Sequence, residues 1–163
     1  MTRSSRKLSV SDGSIANSKP TQKRLLVLDT DHLSELERDS AAGQRLARRL
    51  EMSRAAKAVT IVTVEEQLRG WLAELGRQHD PHRQITAYLK LQRQIETFAN
   101  WIILPWDGES AELFLKLRRQ GVRIGSLDLK IACIAIAQEV TLLTRNATHF
   151  AQVPGLRLEN WLD

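Results

Sequence analysis

Leu25–Leu28 reads Leu-Leu-Val-Leu and runs without a polar break into Asp29-Thr30-Asp31. A strand with one wet face would alternate apolar and polar residues. A short unbroken apolar run is instead the mark of a strand covered on both faces, as in a parallel sheet. The β-branched Val59–Val62 repeats the pattern, and Thr141–Thr144 repeats it again. Trp101–Leu104 and a segment near Leu156–Leu158 supply two shorter candidates. Between these runs, residues 30–39, 43–56, Thr63–Gly76, 82–100, 109–120 and Ser126–Glu139 read as helices, with Gly76 and Gly121 as stops. The last of these is apolar nearly all round in its second half, so it is expected to lie buried between other elements. Strands alternating with helices predict an α/β domain with a mainly parallel central sheet flanked by helices on both faces. No internal repeat and no second domain are evident.

Composition narrows the class. A chain of 163 residues with 42% hydrophobic and 26% charged residues suits one soluble domain with a real core. No apolar run approaches the ~20 residues of a membrane span. The single cysteine, Cys133, excludes an internal disulfide framework and sits in the apolar run Ile131–Ile136, where a small core residue is expected. The basic N-terminus lacks the apolar segment of a secretory signal, so a cytoplasmic location is expected. The net charge of +5 and pI near 9.8 are compatible with nucleic acid without requiring it. Part of the excess lies in Arg3, Arg6, Lys7, Lys19, Lys23 and Arg24, against Asp12 alone. Residues 1–22 are therefore expected to be a basic, disordered extension, with 23–163 as the folded domain. A start codon assigned too far upstream would leave the same trace.

In an open parallel sheet, ligands bind beyond the carboxyl ends of the strands. Asp29 follows the first strand, Glu66 lies shortly after the second, Asn146 follows Thr141–Thr144, and Asp128 opens the buried helix that feeds that strand. Each acid also has an ordinary structural explanation. Thr63-Val64-Glu65-Glu66 has the form of a capping box, in which Glu66 bonds back to the Thr63 amide. Asp128 in a first helical turn is favoured by the helix dipole. Asp29 or Asp31 can cap the first helix, but one cap suffices and the other acid then needs another reason. Separate explanations do not account for all of them falling at one sheet edge. Carboxylates without His or Cys partners suit a hard cation bound through oxygen, magnesium above all. Such an ion, or a pair of them, can activate a water against a phosphodiester. Asp-x-Asp after a first strand also heads phosphatases that form an aspartyl-phosphate. Those carry Thr or Val at the fifth position, where this chain has Leu33.

Four segments, "LLVLDTDHLSEL", "TIVTVEEQLRGWL", "GSLDLKIACIAIAQEVTLLTRNATHF" and "VPGLRLENW", resemble in order and spacing the PIN-domain ribonucleases, specifically VapC-type toxins. The resemblance runs from about Leu25 to Trp161. It implies a PIN-like three-layer domain and an acidic site that binds Mg2+, or Mn2+ as a substitute, and cleaves RNA. It carries Asp29, Glu66 and Asp128 over as catalytic metal ligands, with Thr30, Asp31, Asn146 and His149 as supporting positions. Asn146 stands where a fourth acid is frequent and adds no negative charge. The resemblance further implies a homodimer and a cognate antitoxin that blocks the site. The alternative is a catalytically weakened PIN-fold module that binds RNA or protein without cutting. A nuclease of this fold outside any toxin–antitoxin pair is a third reading.

Overall fold

The computed structural model of the chain describes residues 24–38 and 40–163. The expectation of a basic extension over residues 1–22 lies outside the described residues. In chain order the elements are β1 (Leu25–Leu28), α1 (Thr30–Glu37), α2 (Ala41–Ser53), β2 (Ala56–Thr60), α3 (Ile61–Arg77) and α4 (Pro81–Ala99). They continue with β3 (Ile102–Leu104), α5 (Gly108–Arg119), α6 (Ser126–Ala137), β4 (Thr141–Leu143), α7 (Ala147–Phe150) and β5 (Arg157–Glu159). The five strands form one sheet in the order β3-β2-β1-β4-β5, and every pairing is parallel.

β1 is central, and its two faces explain why it carries no polar residue. Val27 packs with α6 residues Leu129 and Ile131–Ala135, all fully buried. Leu26 and Leu28 point the other way, against Leu46 and Leu50 of α2 and against Trp161 and Leu162. A third cluster of Leu33, Val59, Val64 and Phe98 joins α1, β2, α3 and α4. The result is a sheet between two helical layers, as the apolar runs predict. Chain order places the topological switch at β1: β2 and β3 extend the sheet on one side, β4 and β5 on the other. A crevice at the carboxyl ends of β1 and β4 follows from that reversal.

Three local expectations are corrected. The second strand is Ala56–Thr60, not Val59–Val62, and the helix begins at Ile61. Thr60 is the N-cap: its side chain accepts from Thr63 N at 3.0 Å and shares a hydroxyl contact with Thr63. Ile61 and Val62 favour strands by propensity, but the cap overrides it. The capping box at Thr63–Glu66 therefore does not form, and Glu66 bonds elsewhere. The short α7 was not expected from sequence, since a single turn carries no periodic signal. The last strand is shifted by one residue to Arg157–Glu159.

Candidate active site at the carboxyl edge of the sheet

Asp29, Thr30, Asp31, Glu66, Asp128 and Asn146 line one cavity of about 580 Å³ beyond β1 and β4. The sequence places these residues on four different elements or their ends, and the sheet brings them together. Asp29 is the last residue before α1 and also its N-cap, accepting from Thr30 N at 2.8 Å through Oδ1. Its other oxygen accepts from the Thr144 hydroxyl at 2.9 Å. Thr144, fully buried, directly follows the neighbouring strand and takes the Asn146 amide at 3.1 Å. The carboxylate is only 8% exposed, and no Lys or Arg pairs with it among the described residues. Burial pushes its pKa up to about 6, against the Thr30 and Thr144 hydrogen bonds, while the charges of Asp31 and Asp128 push the same way.

Glu66 projects from α3 toward α1 and accepts from Thr30 Oγ1 at 3.1 Å. Its pKa is raised, first by burial and then by Asp128 and Glu65, with the Thr30 bond and Arg69 opposing. Asp128 stands in the first turn of α6, whose N-cap Gly125 offers no side-chain cap. His149 Nδ1 lies 3.3 Å from Asp128 Oδ2 and 3.2 Å from Asn146 Nδ2. His149 thus reaches Asp128 from the β4 side, while Asn146 stands in the cavity wall against the His149 ring.

Asp31 behaves differently from Asp29. Burial alone would raise its pKa, but hydrogen bonds from His32 and from the Arg145 amide hold it below the ordinary range. Arg145 N donates to Oδ2 at 2.9 Å, and the His32 ring meets Oδ1 at 2.9 Å. His32 is fully buried, and its Nε2 accepts the Trp161 amide at 3.2 Å. That nitrogen faces a donor and carries no proton, so in the neutral ring Nδ1 is the protonated one and donates to Asp31. A relay from Trp161 through His32 to Asp31 is not visible in the sequence, where His32 is one polar residue after an acidic pair. Sequence reading also passed over Gln67, Trp71 and Glu74 in the same cavity wall. Their signal is helical spacing from Glu66, since positions 66, 67, 70, 71 and 74 share one face of α3.

The donor set is carboxylate and amide oxygen, with no Cys and no His in the cavity lining. Among the described residues no three His, Cys, Asp or Glu side chains form a ready cage for an ion. Magnesium does not require one, because it is commonly held by one or two carboxylates plus water and phosphate oxygens. A buried, cation-free aspartate beside further acids fits that demand.

The profile of the PIN domain matches residues 26–156. Ribonuclease VapC1 of Methanocaldococcus jannaschii is 30% identical over 112 residues, covering 69% of this chain and 74% of that protein. Ribonuclease VapC2 of Rickettsia felis is 48% identical over 50 residues, which are 31% of this chain and only 37% of that relative. Among solved structures, VapBC-1 from nontypeable Haemophilus influenzae aligns with a TM-score of 0.66 at 23% identity, over 85% of this chain and 99% of that one. At such identity the likeness concerns the fold.

Proposed function

The chain belongs to the PIN-domain family, and from that premise we propose that it is a metal-dependent endoribonuclease, the toxin of a toxin–antitoxin pair acting in the cytoplasm. The observation that carries the reading is Asp29: a buried, unpaired carboxylate at the switch point of the sheet, with Glu66 and Asp128 in the same cavity. PIN-domain nucleases generally use divalent metal ions. Mg2+, or Mn2+ in its place, would be held by Asp29, Asp128 and Glu66 and would supply an activated water and charge neutralisation at the phosphate. The chain's own residues prepare the site. Thr30 and Thr144 fix the Asp29 carboxylate, Thr30 also holds Glu66, and Asp31 anchors the loop after β4 through the Arg145 amide. His149 lies against Asp128 on the side of the β4 loop.

A cognate antitoxin is the partner this reading requires, in keeping with fold neighbours solved as VapBC complexes. A homodimer accompanies it, and the exposed Ile85, Tyr88, Leu89 and Ile95 give α4 an apolar face for such contact. Asn146 favours a second reading, a weakened PIN module that holds RNA or protein without cutting, whereas Asp29, Glu66 and Asp128 oppose it. The deciding experiment follows cleavage of single-stranded RNA by purified wild-type and Asp29→Asn protein, with magnesium, with manganese and with chelator. Cleavage by the wild type alone, abolished by chelator, is the expected result. Equal cleavage by Asp29→Asn would sink the assignment.

A further inference from the structure

A second cavity, of about 600 Å³, opens between α1, α3 and α4, and it shares Gln67 and Trp71 with the acidic cleft. Its size is that of an ordinary small-ligand pocket. We propose that this cavity is the subsite for a guanine nucleotide next to the scissile phosphate, with Glu37 and Gln94 reading the base and Lys90 and Arg93 holding its phosphate. The proposal rests on the ribonuclease reading of the neighbouring cleft and adds a base preference to it.

The floor asks for hydrogen-bond donors. Gln94 is 4% exposed and donates Nε2 to Glu37 Oε1 at 2.6 Å. That bond fixes the amide so that its Oε1 is left as an acceptor. The second oxygen of Glu37 has no partner among the described residues. Two acceptors side by side match an edge that presents two N–H donors, as guanine does with N1 and N2. A cytosine or uracil edge offers at most one such site beside an acceptor.

The rim asks for negative charge. Lys90, Arg93, Gln94 and Thr97 lie at helical spacing along the face of α4 that borders the cavity. Arg93 makes no ion pair among the described residues, and Lys90 lies 5.2 Å over the Trp71 ring. Arg38, at the end of α1 and 3.6 Å from Glu35, adds a third, partly paired cation. An acceptor floor alone would also take the guanidinium of a protein partner, but a ring of cations repels one and attracts a phosphate. A nucleotide satisfies floor and rim together. Trp71 stands in the wall shared by the two cavities, and its buried Nε1 has no partner among the described residues. The strand would then run from acceptors and cations into the acidic cleft, which by itself repels phosphate.

The test uses the full chain with magnesium and a randomised single-stranded RNA, with cut sites read by sequencing. Wild-type protein is expected to prefer guanine at one fixed position beside the cut. Glu37→Gln should reduce that preference by about tenfold, the discrimination of one good base contact. Lys90→Ala and Arg93→Ala should raise KM at unchanged preference, each making the log–log salt dependence shallower by ~0.7. An unaltered cut-site profile in Glu37→Gln, or an unaltered salt slope in both cation variants, overturns the subsite. Variants that cut RNA normally but escape inhibition by the antitoxin would also overturn it, by assigning the cavity to a protein partner. If wild type cuts no RNA, the ribonuclease reading fails on its own account. Anisotropy of guanine-containing against guanine-free octamers on Asp29→Asn protein, with and without Glu37→Gln, then still decides the subsite.

Discussion

α6 and α3 each border the acidic cleft and bring the candidate ligands Asp128 and Glu66 to it, from opposite kinds of surroundings. Asp128 heads a helix whose Leu129 and Ile131–Ala135 are fully buried, so its position is fixed by the densest part of the core. Glu66 belongs to a helix that leaves Leu72 59% exposed and packs against α4, where Ile85, Tyr88 and Leu89 are also open. Both cavities near the site open along α3 and none of their lining comes from α6 beyond Asp128. One wall of the cleft is therefore set by packing, and the other by a few polar contacts, chiefly Thr30 with Glu66. Rigid support suits an ion ligand, and an adaptable wall suits a substrate that must enter and leave.

The largest effect is expected at the residue between the two walls. Asp29→Asn should abolish cleavage and at the same time raise the melting temperature of metal-free protein. A carboxyl whose pKa is lifted to about 6 from 3.8 destabilises the ionised fold at neutral pH, by on the order of 1–3 kcal/mol. Between those two values the folded chain holds the proton more tightly than the unfolded one. Lowering the pH through that window should thus stabilise metal-free wild type, while Asp29→Asn should lose this part of the response. Calorimetry from pH 7 to pH 4.5 with chelator present checks both; a variant that melts lower than wild type would show that Asp29 is not strained by its burial.

Next comes a direct comparison of the walls. Ile134→Ala in α6 should cost ~2–5 kcal/mol, the range for a buried aliphatic cut to alanine, whereas Leu89→Ala on α4 should stay within ~0.5 kcal/mol in the monomer. Equal costs in denaturant titrations would erase the contrast.

The legibility of the molecule follows the same division. The central sheet and buried α6 could be read because burial on all sides writes unbroken apolar runs such as Leu25–Leu28 and Ile131–Ile136. Asp29, Glu66 and Asp128 could be proposed together because strand ends fix their position along the sheet. The open wall was harder. Thr60 rather than Thr63 starts α3, a choice made by local capping geometry that competes with the β-propensity of Ile61 and Val62. Trp71 and Gln94 gain their meaning only from which helices face each other, and His32 only from where Trp161 returns. None of those pairings leaves a periodic trace.

The misplaced cap gives a third prediction. Because Thr60 caps α3, Glu66→Gln should leave melting nearly unchanged and remove most cleavage. Thr60→Ala should instead cost ~0.5–2 kcal/mol and spare much of the activity in the folded fraction. Melting curves paired with cleavage rates separate the two, and an active but destabilised Glu66→Gln would return that residue to a structural role. A smaller change is expected at Asn146. Asn146→Asp adds charge beside Asp128 and should lower the magnesium concentration giving half-maximal cleavage several-fold, with Asn146→Ala reducing activity only modestly. An unmoved magnesium curve would mean that position 146 does not face the ion. The smallest effect is expected from removing residues 1–22, which supply few apolar side chains. Melting and low-salt cleavage should not change, and a clear loss of either would make that segment part of the domain.

Residues 157–162 are made after β1–β4 and α1–α7, yet the cleft depends on them. β5 pairs with β4 and accepts the Thr144 amide on Glu159 O at 3.0 Å, while the Trp161 amide meets His32 beneath Asp31. A nascent chain that has already made Asp29, Glu66 and Asp128 still lacks the segment that closes β4 and orients the first loop. The order of synthesis thereby postpones assembly of the cleft until residues 157–162 have been made, so the candidate ligands all exist before the segment that seats them.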